Sequence, residues 1–190
     1  MGKLVVTEFI TLDGVMQDPG GAEKAGFPRG GWAFEFDRGP DGDTFKLDEL
    51  MAADVQLLGR VTYEGFAAAW PTMEAGDFGV KMNEMPKVVV STTLETADWQ
   101  NSTIARGDLA GLVARLKSEY DGDILVAGSC ALVQSLLAED LVDRIHLMVF
   151  PVVLGEGKRL FADGGPKQVF ELIASERTND VTTSVLRRKR

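Results

Sequence analysis

An apolar run that ends directly in Gly-Arg-x-Thr, Leu57-Leu58-Gly59-Arg60-Val61-Thr62-Tyr63, most constrains the fold of this chain. Val55–Leu58 reads as a buried strand, and Thr62 with the following Tyr63-Glu64-Gly65-Phe66-Ala67 reads as the first turn of a helix. A strand that empties into a helix N-terminus presents unpaired backbone N–H groups and the positive end of a helix dipole. An Arg and a Thr hydroxyl at that junction make a phosphate site. A simple tight turn, with Arg60 solvated and Thr62 capping the helix, is the competing reading.

Strands and helices alternate along the rest of the chain. Strands are expected at Lys3–Ile10, Val55–Leu58, Lys87–Ser91, Asp123–Ala127 and Arg144–Phe150, with a short one at Ser102–Ala105. Helices are expected at Asp43–Ala53, Thr62–Ala69 and Ala131–Ala138. Asp108 caps a further helix whose Leu109, Leu112, Val113 and Leu116 recur at helical spacing. Gln168–Glu176 and Asp180–Arg187 form a closing hairpin around Thr178-Asn179. Helices between apolar strands imply an α/β fold, a three-layer αβα sandwich on a mixed, mainly parallel sheet of about eight strands. A length of 190 residues fits a single domain over 1–190. A Gly-rich loop from Asp13 to Asp41 is long for a compact domain, and such loops are usually functional or disordered.

Charge and cysteine content exclude several classes. A net charge of −9 argues against a nucleic-acid footprint. No stretch is long and apolar enough for a membrane helix, and no signal-peptide pattern opens the sequence, so a cytoplasmic protein is expected. The single Cys130 forms no internal disulfide, and no Cys/His spacing suits zinc, so no metal is expected. His146 sits in an apolar run and reads as a sheet residue. The Arg187-Arg188-Lys189-Arg190 run reads as a solvated tail.

Ligands of open α/β sheets bind outside the carboxyl ends of the strands. Four such ends carry suitable groups: Thr11-Leu12-Asp13-Gly14, Gly59-Arg60-Val61-Thr62, Ser91-Thr92-Thr93, and Ala127-Gly128-Ser129-Cys130-Ala131-Leu132. Gly128 lets a ligand approach the backbone closely, and the Ser129–Leu132 N–H groups can hold a pyrophosphate. Gly-x-Gly-x-x-Gly is absent, and Gly155-Glu156-Gly157-Lys158-Arg159 lacks the spacing of a P-loop.

The order and spacing of these segments resemble the dihydrofolate reductase superfamily. They are most similar to its bacterial branch, typified by the reductase domain of the bifunctional riboflavin-biosynthesis deaminase-reductase. Leu141-Val142-Asp143-Arg144-Ile145, Pro151-Val152-Val153-Leu154-Gly155 and Leu160-Phe161 extend the match over nearly the whole chain. The resemblance implies an NADPH-dependent reductase acting on a small heterocyclic or ribosylaminopyrimidine-type substrate. It assigns Gly59, Arg60, Val61, Thr62, Ser91, Thr92 and Thr93 to the adenosine-phosphate end of the cofactor. Gly128, Ser129, Cys130, Ala131 and Leu132 take the pyrophosphate and nicotinamide side. Gly14 and Val15 lie in the loop that closes over nicotinamide, and Asp13 and Trp32 line the substrate side. It also implies a homodimer built on the C-terminal strands.

The chain departs from the family at three places. Trp70-Pro71-Thr72-Met73 stands where dihydrofolate reductases carry an Arg for the folate carboxylate. Asp43 falls at their pterin carboxylate or is a helix cap. Ala127 replaces the Glu that precedes the glycine turn in the riboflavin branch. A non-catalytic nucleotide- or metabolite-binding module and a weak dihydrofolate reductase are therefore the alternatives. No His, Cys or Lys stands out as proton donor, leaving solvent or Asp13.

Overall fold

The computed structural model describes residues 1–21 and 26–190; residues 22–25, inside the Gly-rich loop, lie outside the described part. Eight strands form one sheet: β1 Leu4–Thr11, β2 Ala53–Gly59, β3 Lys87–Val90, β4 Ser102–Ala105, β5 Asp123–Ala127, β6 Arg144–Phe150, β7 Phe170–Thr178 and β8 Val181–Arg188. Their order is β4-β3-β2-β5-β1-β6-β8-β7. The first six run parallel, and only β8 is antiparallel to its neighbours. The expected mixed sheet with a C-terminal hairpin is therefore present.

Among the described residues, five α-helices cover the sheet: α1 Gly39–Met51, α2 Arg60–Ala69, α3 Gly76–Glu84, α4 Leu109–Glu119 and α5 Cys130–Ala138. Alternation along β1 splits the core. Leu4, Val6 and Ile10 pack with Val113 and Leu116 of α4 and with Val133, Leu136 and Leu137 of α5. Val5 packs instead with Leu50 of α1, Tyr63 of α2 and Met82 of α3. Both faces of β1 are thus buried, as a central parallel strand requires. A third cluster, Val15, Trp32, Met148, Phe150, Leu154 and Val181, closes the end of the sheet under the loop after β1.

Several boundaries differ from expectation. α1 starts four residues before Asp43, because Pro40 in its first turn supplies a pre-set φ and lacks only an N–H that would go unpaired there. Asp43 is therefore neither a cap nor a buried carboxylate; it is exposed and paired with Arg38. α2 starts at Arg60 with Gly59 as its N-cap, so Thr62 lies inside the first turn and does not cap it. Asp108 does hold the N-cap position of α4, through its backbone: its carbonyl accepts from Leu112 N–H, and its side chain makes no capping bond. The basic C-terminal run is not simply solvated. β8 extends through Arg188, whose side chain is 13% exposed and bonded to Asp140 at 2.6 Å, and Arg190 reaches Asp143 at 3.0 Å.

Candidate active site

The connection from β1 to β2 passes over β5 in one direction, and that from β5 to β6 passes over β1 in the other. The strand ends around β5 therefore form a topological switch point, where open α/β sheets hold their ligands. Pairing stops early here. β1 and β5 are in register only as far as Thr7↔Ala127, although β1 continues to Thr11 alongside β6. The end of β1 thus parts from β5 beside the Ala127–Ser129 turn, and this gap is the candidate crevice.

Two of the expected segments meet across this crevice. Ser129 Oγ accepts a hydrogen bond from the Gly59 N–H at 2.7 Å. A Cβ on Gly59 would lie 3.1 Å from both Cβ and Oγ of Ser129. One on Gly128 would lie 3.0 Å from Thr62 Cγ2 and 3.1 Å from its Oγ1. The Gly-Arg-x-Thr junction and the Gly-Ser turn are thus packed into one unit. Gly128 and Ser129 both have left-handed backbones, φ 69° and 73°, which start α5 abruptly and aim its N-terminus at the crevice. The first bond closing that turn runs from Val133 N–H to Ser129 O, which leaves the Cys130, Ala131 and Leu132 N–H groups without intrahelical acceptors.

The remaining expected residues have mixed positions. Arg60 is partly exposed beside the crevice and paired with Glu64 at 3.1 Å, one helical turn along. Ser91 is buried, and its Oγ accepts from the Thr93 and Leu94 N–H groups at 3.2 and 3.0 Å, shaping the turn after β3. Thr92 and Thr93 are exposed on that turn, and Val61 is exposed on α2. Gly14 has φ 78° and open space around it. Val15 is fully buried, and its bridge to Arg159 fixes the loop after β1.

Asp13 and Trp32 are engaged within the protein. Asp13 Oδ1 accepts from Thr11 Oγ1 at 2.6 Å and from Leu154 N–H at 3.2 Å, while Oδ2 accepts from Gly155 N–H at 2.8 Å. The Thr11 hydroxyl, together with those two backbone amides, holds its carboxyl down to about 2. A group so acidic is a poor proton source at neutral pH. Trp32 is 1% exposed, its ring edge on Phe150 and its Nε1 donating to Gln17 O at 2.9 Å. It supports the site from within the third core cluster.

Sequence reasoning missed the two buried acids flanking β1. On the α1 face, Thr7 Oγ1 donates to Glu49 at 2.7 Å. Glu49 also pairs with Lys46 and lies 3.2 Å from His146 Nδ1. Burial opposes ionisation of Glu49, but Lys46, His146 and Thr7 together outweigh it and hold the carboxyl below its ordinary value. Glu8 alternates to the α5 face, is 4% exposed, and its Oε1 has no hydrogen-bond partner among the described residues. Burial pushes the Glu8 carboxyl well above its ordinary value; Lys46 and the Gly128 amide oppose this, and Glu49 adds to it. The signal was available: polar residues in a strand covered on both faces need a reason to be there.

Comparison with known proteins agrees with this architecture. Residues 2–184 match the RibD C-terminal domain family, and the chain belongs to it. The uncharacterized protein YwjB of Bacillus subtilis is 28% identical over 159 residues, 84% of this chain and 82% of its own. A putative riboflavin biosynthesis protein from Shewanella superimposes with a TM-score of 0.78 at 22% identity, covering 99% of both chains. A dihydrofolate reductase from Enterococcus faecalis, solved with NADP(H), superimposes with a TM-score of 0.64 at 14% identity, covering 100% of this chain and 98% of its own. The superpositions establish a shared fold with riboflavin-biosynthesis and dihydrofolate reductase structures. Among the described residues, no helix is long and apolar enough to cross a membrane, and no group of His, Cys, Asp and Glu could hold a metal.

Proposed function

We propose that this protein is an NADPH-dependent reductase that transfers a hydride to a polarised C=N or C=O bond of a small heterocycle, of ribosylaminopyrimidine or related type. The observation that carries this reading is the joined Gly59–Thr62 and Gly128–Ser129 unit at the switch point, with the N-terminus of α5 opening onto the crevice. Its donor set suits a dinucleotide. The Cys130, Ala131 and Leu132 amides face a pyrophosphate, and the Arg60 guanidinium, released from Glu64, pairs with a 2′-phosphate. The Glu8 Oε1, buried without a partner among the described residues, supports a crevice that takes a group from outside the chain. When bound, the dihydronicotinamide supplies the hydride; the protein orients it and excludes water.

The loop after β1 is the wall of this site. Asp13 pins it to Leu154 and Gly155, and the Thr11 N–H bond to Val15 O closes its turn at 3.0 Å. Gly14 leaves the wall open at one point, where no atom lies within 4 Å of a Cβ. Titration of NADPH and NADH by fluorescence, followed by NADPH oxidation against pteridines and ribosylaminopyrimidines, tests the reading. Tighter NADPH binding with turnover of a panel member supports it. NADPH binding without any turnover would favour a non-catalytic nucleotide-binding module.

The same reading includes a homodimer through the C-terminal strands. β7 pairs on one side only, leaving its other edge open, and Leu172 and Ile173 are 60% and 49% exposed on it. Such an edge is a liability unless covered, and a second copy is the commonest cover. Sedimentation at micromolar concentration decides the point: a species of one-chain mass rejects it.

A further inference from the structure

We propose that Glu8 is the proton donor of the reduction, giving its carboxyl proton to the substrate atom that gains charge as hydride arrives. This rests on the reductase reading above and adds the acid which that reading lacks. Three geometric observations carry it. Glu8 stands on β1 one residue past the last β1–β5 pair, where the strands part and the crevice begins. Beyond the Thr7↔Ala127 pair, the chain beside it on the β5 side is the Gly128–Ser129 turn that starts α5. Its Oε1 is buried with no partner among the described residues, so a hydrogen-bonding position there is left for a ligand.

The charged groups around it decide its state. From α1 come Lys46 and Glu49, and from α5 comes Cys130, which itself feels Lys158. His146 on β6 is bonded to Glu49 and not to Glu8. Lys46 is already paired with Glu49, so it is a weak counterion for a second carboxylate. Burial is therefore the largest influence, and it favours the protonated carboxyl over the charged one. Asp13, the acid considered first, is ionised at neutral pH and keeps its oxygens on the loop.

The step balances without any further reagent. Hydride leaves C4 of the dihydronicotinamide and forms a C–H bond at the carbon of a C=N or C=O group. The π pair moves onto the nitrogen or oxygen, which takes the proton as the Glu8 O–H bond breaks. The nicotinamide is oxidised by two electrons and the substrate reduced by two; solvent reprotonates the Glu8 carboxylate.

Glu8→Gln tests this, because it keeps the shape and a hydrogen-bond donor but has no transferable proton. Expected are NADPH affinity within about twofold of wild type and turnover of the best panel substrate reduced by roughly 10²–10⁴-fold. Glu8→Asp, an acid on a shorter arm, should recover part of that rate. Independent of turnover, the infrared C=O band of a protonated carboxyl should be present in the wild type at pH 7 and lost in Glu8→Gln. A wild type lacking that band, or a Glu8→Gln variant turning over at the wild-type rate, overturns the role of Glu8 alone. A wild type that binds no NADPH, or reduces no panel member, overturns the reductase reading and this role with it.

Discussion

The two faces of β1 handle buried acid in opposite ways. On the α1 face Glu49 is surrounded: Lys46 pairs with it, Thr7 donates to it, and His146 lies 3.2 Å away. On the α5 face Glu8 keeps one oxygen without a partner, in the place where two strands diverge. A carboxylate with both oxygens engaged fixes structure, although the His146 Nε2 of this group has no partner among the described residues. A carboxyl left incomplete costs stability and is retained where the missing partner is a ligand. The difference separates a carboxylate that holds the fold from a carboxylic acid that serves the crevice.

Removing the fully engaged carboxylate should have the largest effect. Glu49→Ala leaves the Lys46 ammonium, whose side chain is 15% exposed, without its counterion. A loss of about 3–5 kcal/mol is expected in urea unfolding. A loss below about 1 kcal/mol would remove the contrast between the two faces.

The incomplete side should respond with the opposite sign. Glu8→Leu, which removes the orphaned oxygen, should stabilise the protein by about 1–3 kcal/mol in the same assay. The gain depends on pH in a definite direction. A carboxyl raised in the native state makes that state bind more protons than the unfolded one, so wild-type stability falls as pH rises above the ordinary value of 4.5. Denaturation at pH 5 and pH 8 should show the Glu8→Leu advantage growing toward pH 8. An advantage that shrinks would mean that Glu8 is ionised and satisfied.

Arg60 extends the comparison to the rim, where its pairing with Glu64 is exposed and weak. Arg60→Ala should leave stability nearly unchanged and lower NADPH affinity by roughly tenfold, about 1.4 kcal/mol, with NADH hardly affected. Calorimetric titration of both cofactors checks it, and equal losses would reject a 2′-phosphate role.

The smallest effect is expected at the loop. Asp13→Asn weakens the acceptor for two backbone amides without exposing a core, so hydrogen exchange at Leu154 and Gly155 should quicken with little global change. In the wild type this tie is complete above about pH 4, the unfolded value, and is lost as pH falls toward about 2.

Most of the framework was legible because apolar runs and helical spacing mark buried elements directly: β5 and β6 fall where Asp123–Ala127 and Arg144–Phe150 were expected. α3 was not legible. Gly76 and Gly79 interrupt its pattern and Pro71 precedes it, yet Met82 packs into the core and Lys87 ties its end by donating to Asn83 O. Here tertiary burial overrides weak local propensity. In the site, the glycine turns were readable because chain reversal demands those residue types. Glu8 was overlooked, although a sheet covered on both faces leaves no outward position for a polar residue in its central strand. Asp13 was read as a ligand group because an Asp-Gly turn does not reveal that its acceptors are spent on residues some 140 positions away.

That separation has a kinetic side. β1 is flanked by β5 and β6, so its partners are residues 124–127 and 144–150. At ribosomal rates the first strand waits on the order of 10 s for its second neighbour. Until β5 is made Val5 and Val6 have no strand on either side, and Ile10 must wait for β6. Long-range parallel pairing of this kind is slow to form and exposed to aggregation. The central position that makes β1 the wall of the crevice also makes the earliest-made strand one of the last to be seated.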